Sequence, residues 1–125
     1  QDHVKRYQLP TRYMDLIVYT GFGYAGRNLI LTRSADAVIV ICGRIGTLNE
    51  FTVAFEDKKP LGVLINSGGI ADELKEITEI AHKHECDVLF EEDPQKLVRG
   101  LLRDLDKIRT KENASQALTK LEKTD

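Results

Sequence analysis

The sequence contains few of the features by which several protein classes are recognised. It has no tryptophan, one methionine, three prolines and two cysteines in 125 residues. The absence of tryptophan excludes nothing, but no apolar run approaches the roughly 18 residues that span a bilayer, and no signal-peptide pattern opens the chain. The net charge is -2 and charges of both signs are interspersed, so no basic face favours nucleic acid. Composition therefore predicts neither a membrane nor a nucleic-acid partner.

Cysteine and histidine give no pattern of a disulfide framework or a metal centre. Cys42 and Cys86 lie near the ends of predicted strands and are typical of reduced thiols in a cytoplasmic protein. His82 and His84, next to Glu85 and Cys86, resemble a metal cluster. Positions i and i+2 on a helix point apart, however, and no second group of ligands is evident. We therefore expect neither a bound metal nor a cofactor.

The two ends of the chain differ from its middle. Residues 1–12 are polar and carry a proline, which indicates an arm or loop leading to the first strand. The chain begins with Gln1, whereas doubly wound folds usually begin with a strand, so we expect preceding strands to be absent from this sequence. Residues 110–125 have apolar residues at loose helical spacing, typical of a frayed helix or of a segment that docks on a partner. No repeat or linker divides residues 1–125, which we expect to form one domain.

The segment AVIVICGRIGTLNE, residues 37–50, is the most informative in the chain. Its apolar run, residues 38–41, predicts a strand buried on both faces. Gly43 and Gly46 allow a tight turn and the close approach of a ligand. Thr47 is a good N-cap, and Glu50 follows it at capping-box spacing. A strand, a glycine turn and a helix N-terminus in this order predict a site for an anion, typically a phosphate.

A second glycine turn precedes the first. Residues 15–20 predict a buried strand, and residues 21–26, GFGYAG, match G-x-G-x-x-G ahead of a helix from about residue 27 to 34. A dinucleotide site would also need an acidic residue at the end of the next strand, but the nearby Asp36 lies at its start. The turn therefore argues for a ligand loop rather than for NAD. Three aromatic residues lie around this turn, and the sequence is equally consistent with stacking on a base and with packing in a core or interface: Tyr19, Phe22 and Tyr24.

Helices and strands are predicted to alternate along the rest of the chain. This alternation predicts an α/β fold, a Rossmann-like parallel sheet with helices on both faces. Asp93 is the expected cap of the last helix, with Pro94 in its first turn. The other expected elements are a helix over residues 47–57, a strand over 61–65, a loop over 66–69, a helix over 70–84 and a strand over 87–90.

Two residue types near these turns each have a functional and a structural interpretation. Cys42 follows a strand and precedes a helix N-terminus, which favours a thiolate nucleophile. No histidine lies near it in sequence, so we expect a buried small residue instead. We expect Lys58 and Lys59 to lie in solvent at the end of a helix.

Four segments resemble the LOG family, Rossmann-like proteins long labelled "possible lysine decarboxylase", whose motif is PGGxGTxxE with an upstream arginine. They are residues 27–28, 34–39, 43–50 and 59–63, in the family's order and spacing. Active members resemble nucleoside 5′-monophosphate phosphoribohydrolases, which release a free base and ribose 5-phosphate. Other relatives, including molybdenum-cofactor carrier proteins, are non-catalytic carriers or sensors. No lysine in a pyridoxal-binding context supports the decarboxylase label.

The resemblance implies roles for individual residues. Arg27 and Glu50 match the catalytic pair of active members, although Glu50 as half of a capping box and Arg27 as a surface cation remain alternatives. Cys42 stands where many members have proline, and Arg44 where the second glycine is usual, so Arg44 narrows the loop or supplies a cation to the phosphate. The ligand-binding residues we expect are Gly21, Gly23, Asn28, Gly43, Arg44, Gly46 and Thr47.

Three functions follow as hypotheses. The first is a phosphoribohydrolase that uses Arg27 and Glu50 on a nucleoside monophosphate, where a carboxylate beside the ribose stabilises an oxocarbenium-like transition state. The second is a non-catalytic nucleotide or cofactor carrier or sensor, which Arg44 favours. The third is an interaction scaffold without a ligand. We also expect a homo-oligomer, because the family's dimer interface lies near the glutamate-bearing helix, where Phe51 and Phe55 offer apolar surface.

Overall fold

Three short strands form a parallel sheet in the order β1-β2-β3. The computed structural model describes residues 12–81 and 88–122. The strands are β1 (Val38–Ile41), β2 (Leu61–Leu64) and β3 (Val88–Glu91), and Val38 lies opposite Leu61, which lies opposite Val88. Parallel neighbours need a crossover between them, and each crossover here contains a helix. The structure confirms the predicted α/β fold.

One helix precedes β1, and a helix follows each of the three strands. They are α1 (Gly23–Arg33), α2 (Ile45–Glu56), α3 (Leu74–Ile80) and α4 (Pro94–Glu122). The single helix expected over residues 70–84 begins instead as a 3₁₀ turn, Gly69–Asp72, that precedes α3. The cap of α4 is as predicted, because the Asp93 carboxylate accepts hydrogen bonds from the backbone N–H groups of Gln95 (2.8 Å) and Lys96 (3.2 Å).

One face of the sheet carries the core. Phe51 and Phe55 of α2 are 2% and 8% exposed, and their rings pack 5.9 Å apart. The expectation that they offer surface to a dimer is therefore wrong: they share one helix face with Ala54, and that face packs on the sheet. The buried core residues on this side are Val40, Phe51, Ala54, Phe55, Leu61, Val63, Ala71 and Leu74.

The opposite face is covered by α4. A Cβ built on Gly62 would lie 2.8 Å from both Leu97 and Leu101, so glycine in β2 lets α4 approach the strand closely. Helices therefore lie on both faces, as predicted. Helix α4 covers β2 and β3 but not β1. On that side of the sheet, Ile39 and Ile41 of β1 are 42% and 59% exposed. The expectation that β1 is buried on both faces is wrong.

The segment that was expected to form the first strand, residues 15–20, has no strand structure. Its apolar members are exposed, Leu16 by 80% and Val18 by 63%. A strand is stable when its backbone groups pair with a neighbour, and in the part of the chain that the structure describes β1 pairs on one side only, with β2. β-propensity alone does not order the segment.

The tail is part of the last helix, and its docking on a partner stays a prediction. Helix α4 continues through residue 122, so the tail is helical, and its described side chains from residue 109 to 116 are all exposed. The expected arm over residues 1–12 lies almost wholly outside the described residues. Among the residues that the structure describes, no helix has the length and apolar character needed to cross a membrane.

Candidate functional site

The turn after β1 reverses the backbone through two left-handed residues, Cys42 (φ 52°) and Gly43 (φ 92°). Glycine adopts this region freely, whereas other L-residues incur about 1–2 kcal/mol. The N–H of Cys42 donates a 2.7 Å hydrogen bond to Ser67 Oγ, which holds the turn. Cys42 is exposed rather than buried, so our expectation of a buried small residue is wrong. Proline, with φ fixed near -65°, could not follow this path.

The loop after β2 fastens the turn through main-chain groups. The N–H of Ile70 donates to the carbonyl of Gly43 (3.1 Å), and the N–H of Ala71 donates to that of Cys42 (3.0 Å). Gly69 (φ 60°) lies so close that a Cβ there would overlap the Gly43 carbonyl oxygen. Sequence reasoning placed this loop at a strand end but assigned it no role. The signal was available, since the carboxyl ends of neighbouring parallel strands lie at one edge.

The N-cap of helix α2 lies three residues earlier than the capping-box pattern predicts. This N-cap is Arg44, in extended conformation and without a side-chain cap, and Thr47 lies inside the helix. The prediction that Thr47 caps the helix is therefore wrong. Its side chain packs against Gly43, where a built Cβ would come within 2.5 Å of it. The left-handed turn at Cys42 and Gly43 has already redirected the chain before Thr47.

The first turn of α2 presents backbone donors at the carboxyl end of β1. The first bond into the helix is from the N–H of Leu48 to the carbonyl of Arg44 (3.0 Å), so the N–H groups of residues 45–47 have no acceptor within the helix. Gly46 is exposed, and the nearest atom to a built Cβ there would be the Asn28 amide nitrogen at 3.8 Å. Packing within the chain therefore does not require glycine at this position.

Helix α1 brings Asn28 to the first turn of α2. Asn28 is 2% exposed, and its side-chain amide lies 3.3 Å from the carbonyl of Gly46 and 3.2 Å from Asn49 Oδ1. The opposite end of the same amide lies 3.1 Å from Glu50 Oε1 and 3.0 Å from the carbonyl of Tyr24. Sequence reasoning did not identify Asn49 as part of this cluster, and nothing in its spacing marked it.

Arg27 lies next to this cluster, on the exposed side of α1. Its guanidinium stacks 5.0 Å from the centre of the Tyr24 ring, and Nη2 lies 3.5 Å from Asn28 Oδ1. Among the described residues Arg27 and Glu50 form no ion pair. Tyr24 is 64% exposed and Phe22 is 74% exposed, so neither belongs to the core.

The first glycine turn is more open than the second. Gly21 (φ 72°) and Gly23 (φ 69°) have left-handed backbones, and no atom lies within 4 Å of a Cβ built on either. Helix α1 begins at Gly23 rather than near Arg27 as predicted. The structure brings Asn28 to Gly46 and Glu50.

The described groups with shifted pKa values lie away from this cluster. The hydrogen bond from Arg33 lowers the pKa of Asp57, and backbone N–H groups lower that of Asp93. Lys59, expected to be solvated, donates to the carbonyl oxygens of Ala35 and Arg33, so that expectation is wrong. The candidate metal cluster at residues 82–86 lies outside the described residues, and the residues that are described contain no metal-binding group of three ligands.

Comparison with known proteins gives one result. The model of the SLOG cluster4 family matches residues 1–98, which include both glycine turns and the sheet. No curated protein and no solved structure matches the chain.

Proposed function

Because this chain belongs to the SLOG cluster4 family, we propose that it binds the phosphate of a nucleotide at the carboxyl end of β1. Membership of the family suggests a nucleotide-related function. The N–H groups of residues 45–47, which have no acceptor within α2, suit an anion. Gly46 leaves room for the phosphate to approach the backbone, and the exposed side chain of Arg44 supplies a cation. In this proposal Gly43 shapes the cradle and Thr47 packs beneath it.

We propose further that the bound nucleotide is hydrolysed at its N-glycosidic bond. The bond from C1′ to the base breaks, its electron pair leaves with the base, and the base takes up a proton. Water adds to C1′ and loses a proton, which gives ribose 5-phosphate. Glu50 stabilises the oxocarbenium-like sugar and holds its hydroxyls, and Arg27 neutralises the phosphate or assists the leaving base.

The observation that carries this proposal is the position of Glu50. It is half-buried in the first turns of α2, behind the same N-terminus that presents the free N–H groups. One oxygen of its carboxylate lies beside the amide of Asn28, and no cation pairs with it among the described residues. A carboxylate so placed beside an anion cradle is available to a ribose.

A binding protein without catalysis is the second candidate, and Arg44 favours it. Arginine stands where the resembling family usually has the second glycine of its motif, and it is also the N-cap of α2. In this alternative Arg44 binds the phosphate and holds the nucleotide for transfer or sensing. Self-association and a cytoplasmic location remain predictions from the sequence.

Incubation with a panel of nucleoside 5′-monophosphates, assayed for free base, tests the proposal. We expect the wild-type protein to release base and Glu50→Gln to lose that activity. Glu112→Gln is the matched control. Glu112 lies near Asp36 and Lys58, which precede β1 and β2, and so lies at the amino end of the strands rather than at the carboxyl end. Thermal stabilisation by a nucleotide without base release would support the binding protein instead. If the protein shows neither base release nor stabilisation by a nucleotide, both proposals are overturned and the scaffold hypothesis is left.

A further inference from the structure

Asn28 is one of the two buried polar residues of α1, and its surroundings are unusually rich in oxygen atoms. Burial of an amide is unfavourable unless its donors and acceptor are paired. Each end of this amide faces two oxygens, one end Gly46 O and Asn49 Oδ1, the other Tyr24 O and Glu50 Oε1. Arg27 Nη2 also approaches the second end, but at 3.5 Å it is farther away than either oxygen there. The amide nitrogen is the donor, so its orientation decides which pair is satisfied.

The chemistry favours the nitrogen at the Glu50 end. A hydrogen bond to a carboxylate is shorter and stronger than one to a neutral acceptor, and the distances there, 3.1 and 3.0 Å, are shorter than the 3.3 and 3.2 Å at the other end. In this orientation the Asn28 oxygen lies 3.2 Å from the atom of Asn49 that faces it, and it accepts a hydrogen bond there when the Asn49 amide is turned so that its nitrogen is that atom. Both N–H groups of Asn28 then have acceptors, and its oxygen gains a donor from Asn49 once that amide is turned with it.

We propose that Asn28 is a positioning residue that holds the Glu50 carboxylate in place through this bond, an inference that rests on the proposed function of Glu50. Asn28 itself is too deeply buried to be an open contact surface for a ligand, at 2% exposed. It fixes one oxygen of the carboxylate and leaves the other for the ribose. The same amide donates to the carbonyl of Tyr24 in α1. The Glu50 carboxylate, which belongs to α2, is thereby held by α1 as well.

A double-mutant cycle in urea unfolding tests the contact without using activity. Asn28→Asp replaces the donor by a second carboxylate, so we expect it to lower the unfolding midpoint at pH 7. Adding Glu50→Gln removes the repulsion, and we expect it to recover part of the lost midpoint. The control is Thr32→Val, at the other buried polar residue of α1 (3% exposed), which should be additive with Glu50→Gln. Additivity of the Asn28 and Glu50 changes would overturn the proposal.

A kinetic measurement then separates positioning from general support of the fold. We expect Asn28→Leu to lower kcat for base release by about 10- to 100-fold with little change in KM, because the carboxylate is misplaced while the phosphate cradle is kept. An equal loss of kcat in Thr32→Val would overturn the positioning role. If the wild-type protein releases no base, the hydrolase proposal falls, and the cycle alone decides whether Asn28 holds Glu50.

Discussion

The two glycines of the turn after β1 should respond to alanine in opposite directions. At Gly43 (φ 92°), alanine takes a left-handed backbone and its Cβ would meet the Thr47 side chain at 2.5 Å. The backbone term is about 1–2 kcal/mol, and the overpacking term about 1–3 kcal/mol. Reduced freedom of the unfolded chain offsets about 0.4–1 kcal/mol. The net loss of stability for Gly43→Ala is about 1–4.6 kcal/mol.

At Gly46 the same substitution should stabilise the protein. Gly46 lies in the first turn of α2 with an ordinary backbone, and the nearest atom to a new Cβ would be 3.8 Å away. Replacing a helical glycine by alanine gains about 0.5–1 kcal/mol. With an m-value of about 1.5 kcal/mol/M in urea, the Gly46→Ala midpoint should rise by roughly 0.3–0.7 M. For Gly43→Ala it should fall by roughly 0.7–3.1 M on the same basis.

Equilibrium unfolding in urea, followed by far-ultraviolet circular dichroism, measures both midpoints. Two midpoints that move in the same direction would refute the reasoning that Gly43 is required by the fold and Gly46 is not. The pair also bears on function. If Gly46 is glycine for the sake of a phosphate, Gly46→Ala should lose stabilisation by nucleotide even as its own stability rises. Unchanged stabilisation by nucleotide would show that the phosphate does not approach Gly46.

Two further predictions concern the ends and faces of α4. Asp93→Ala should lower the melting temperature at pH 7, because two backbone N–H groups lose their acceptor. The folded-state pKa of Asp93 is lowered by those N–H groups, so its contribution is full above the unfolded-state pKa and is lost as pH falls through the folded-state value. The difference from wild type should therefore shrink at pH 3, and a constant difference would contradict the cap. Gly100→Ala would press a Cβ into the Leu89 side chain, which costs about 1–3 kcal/mol and is offset by about 0.5–1 kcal/mol of helix propensity. Its urea midpoint should therefore fall below that of Val98→Ala, an exposed position on the same helix, and equal midpoints would show that α4 does not pack closely on β3.

The sequence predicted the sheet well because local pattern and packing agree there. The runs in β1 and β2 are short, apolar and bounded by turn residues, and Asp93 with Pro94 is a local signal that needs no tertiary partner. The segment over residues 15–20 has the same β-branched character as β1. It failed as a strand because pairing depends on a neighbour, which propensity does not specify.

The errors at the candidate site have a common physical cause. Capping-box spacing assumed that the chain turns at Gly46 and Thr47, whereas the turn occurs at Cys42 and Gly43. A left-handed cysteine is not predictable from residue type. The buried face of Phe51 and Phe55, in contrast, was predictable, since residues three and four apart share one side of a helix. The contact of Asn28 with Glu50 joins residues far apart in sequence, which no local spacing could reveal.

The turn after β1 owes its path mainly to main-chain groups, with the carbonyls of Cys42 and Gly43 held by the N–H groups of Ala71 and Ile70. Such a scaffold does not depend on which side chains its exposed positions carry. A substitution at the exposed position 44 should therefore keep the path of the turn, and under the proposed function it would change the charge and size offered to a phosphate. If the turn binds a phosphate as proposed, the residues that shape it and the residue that selects the ligand are different ones, so single substitutions could alter ligand preference without altering the fold.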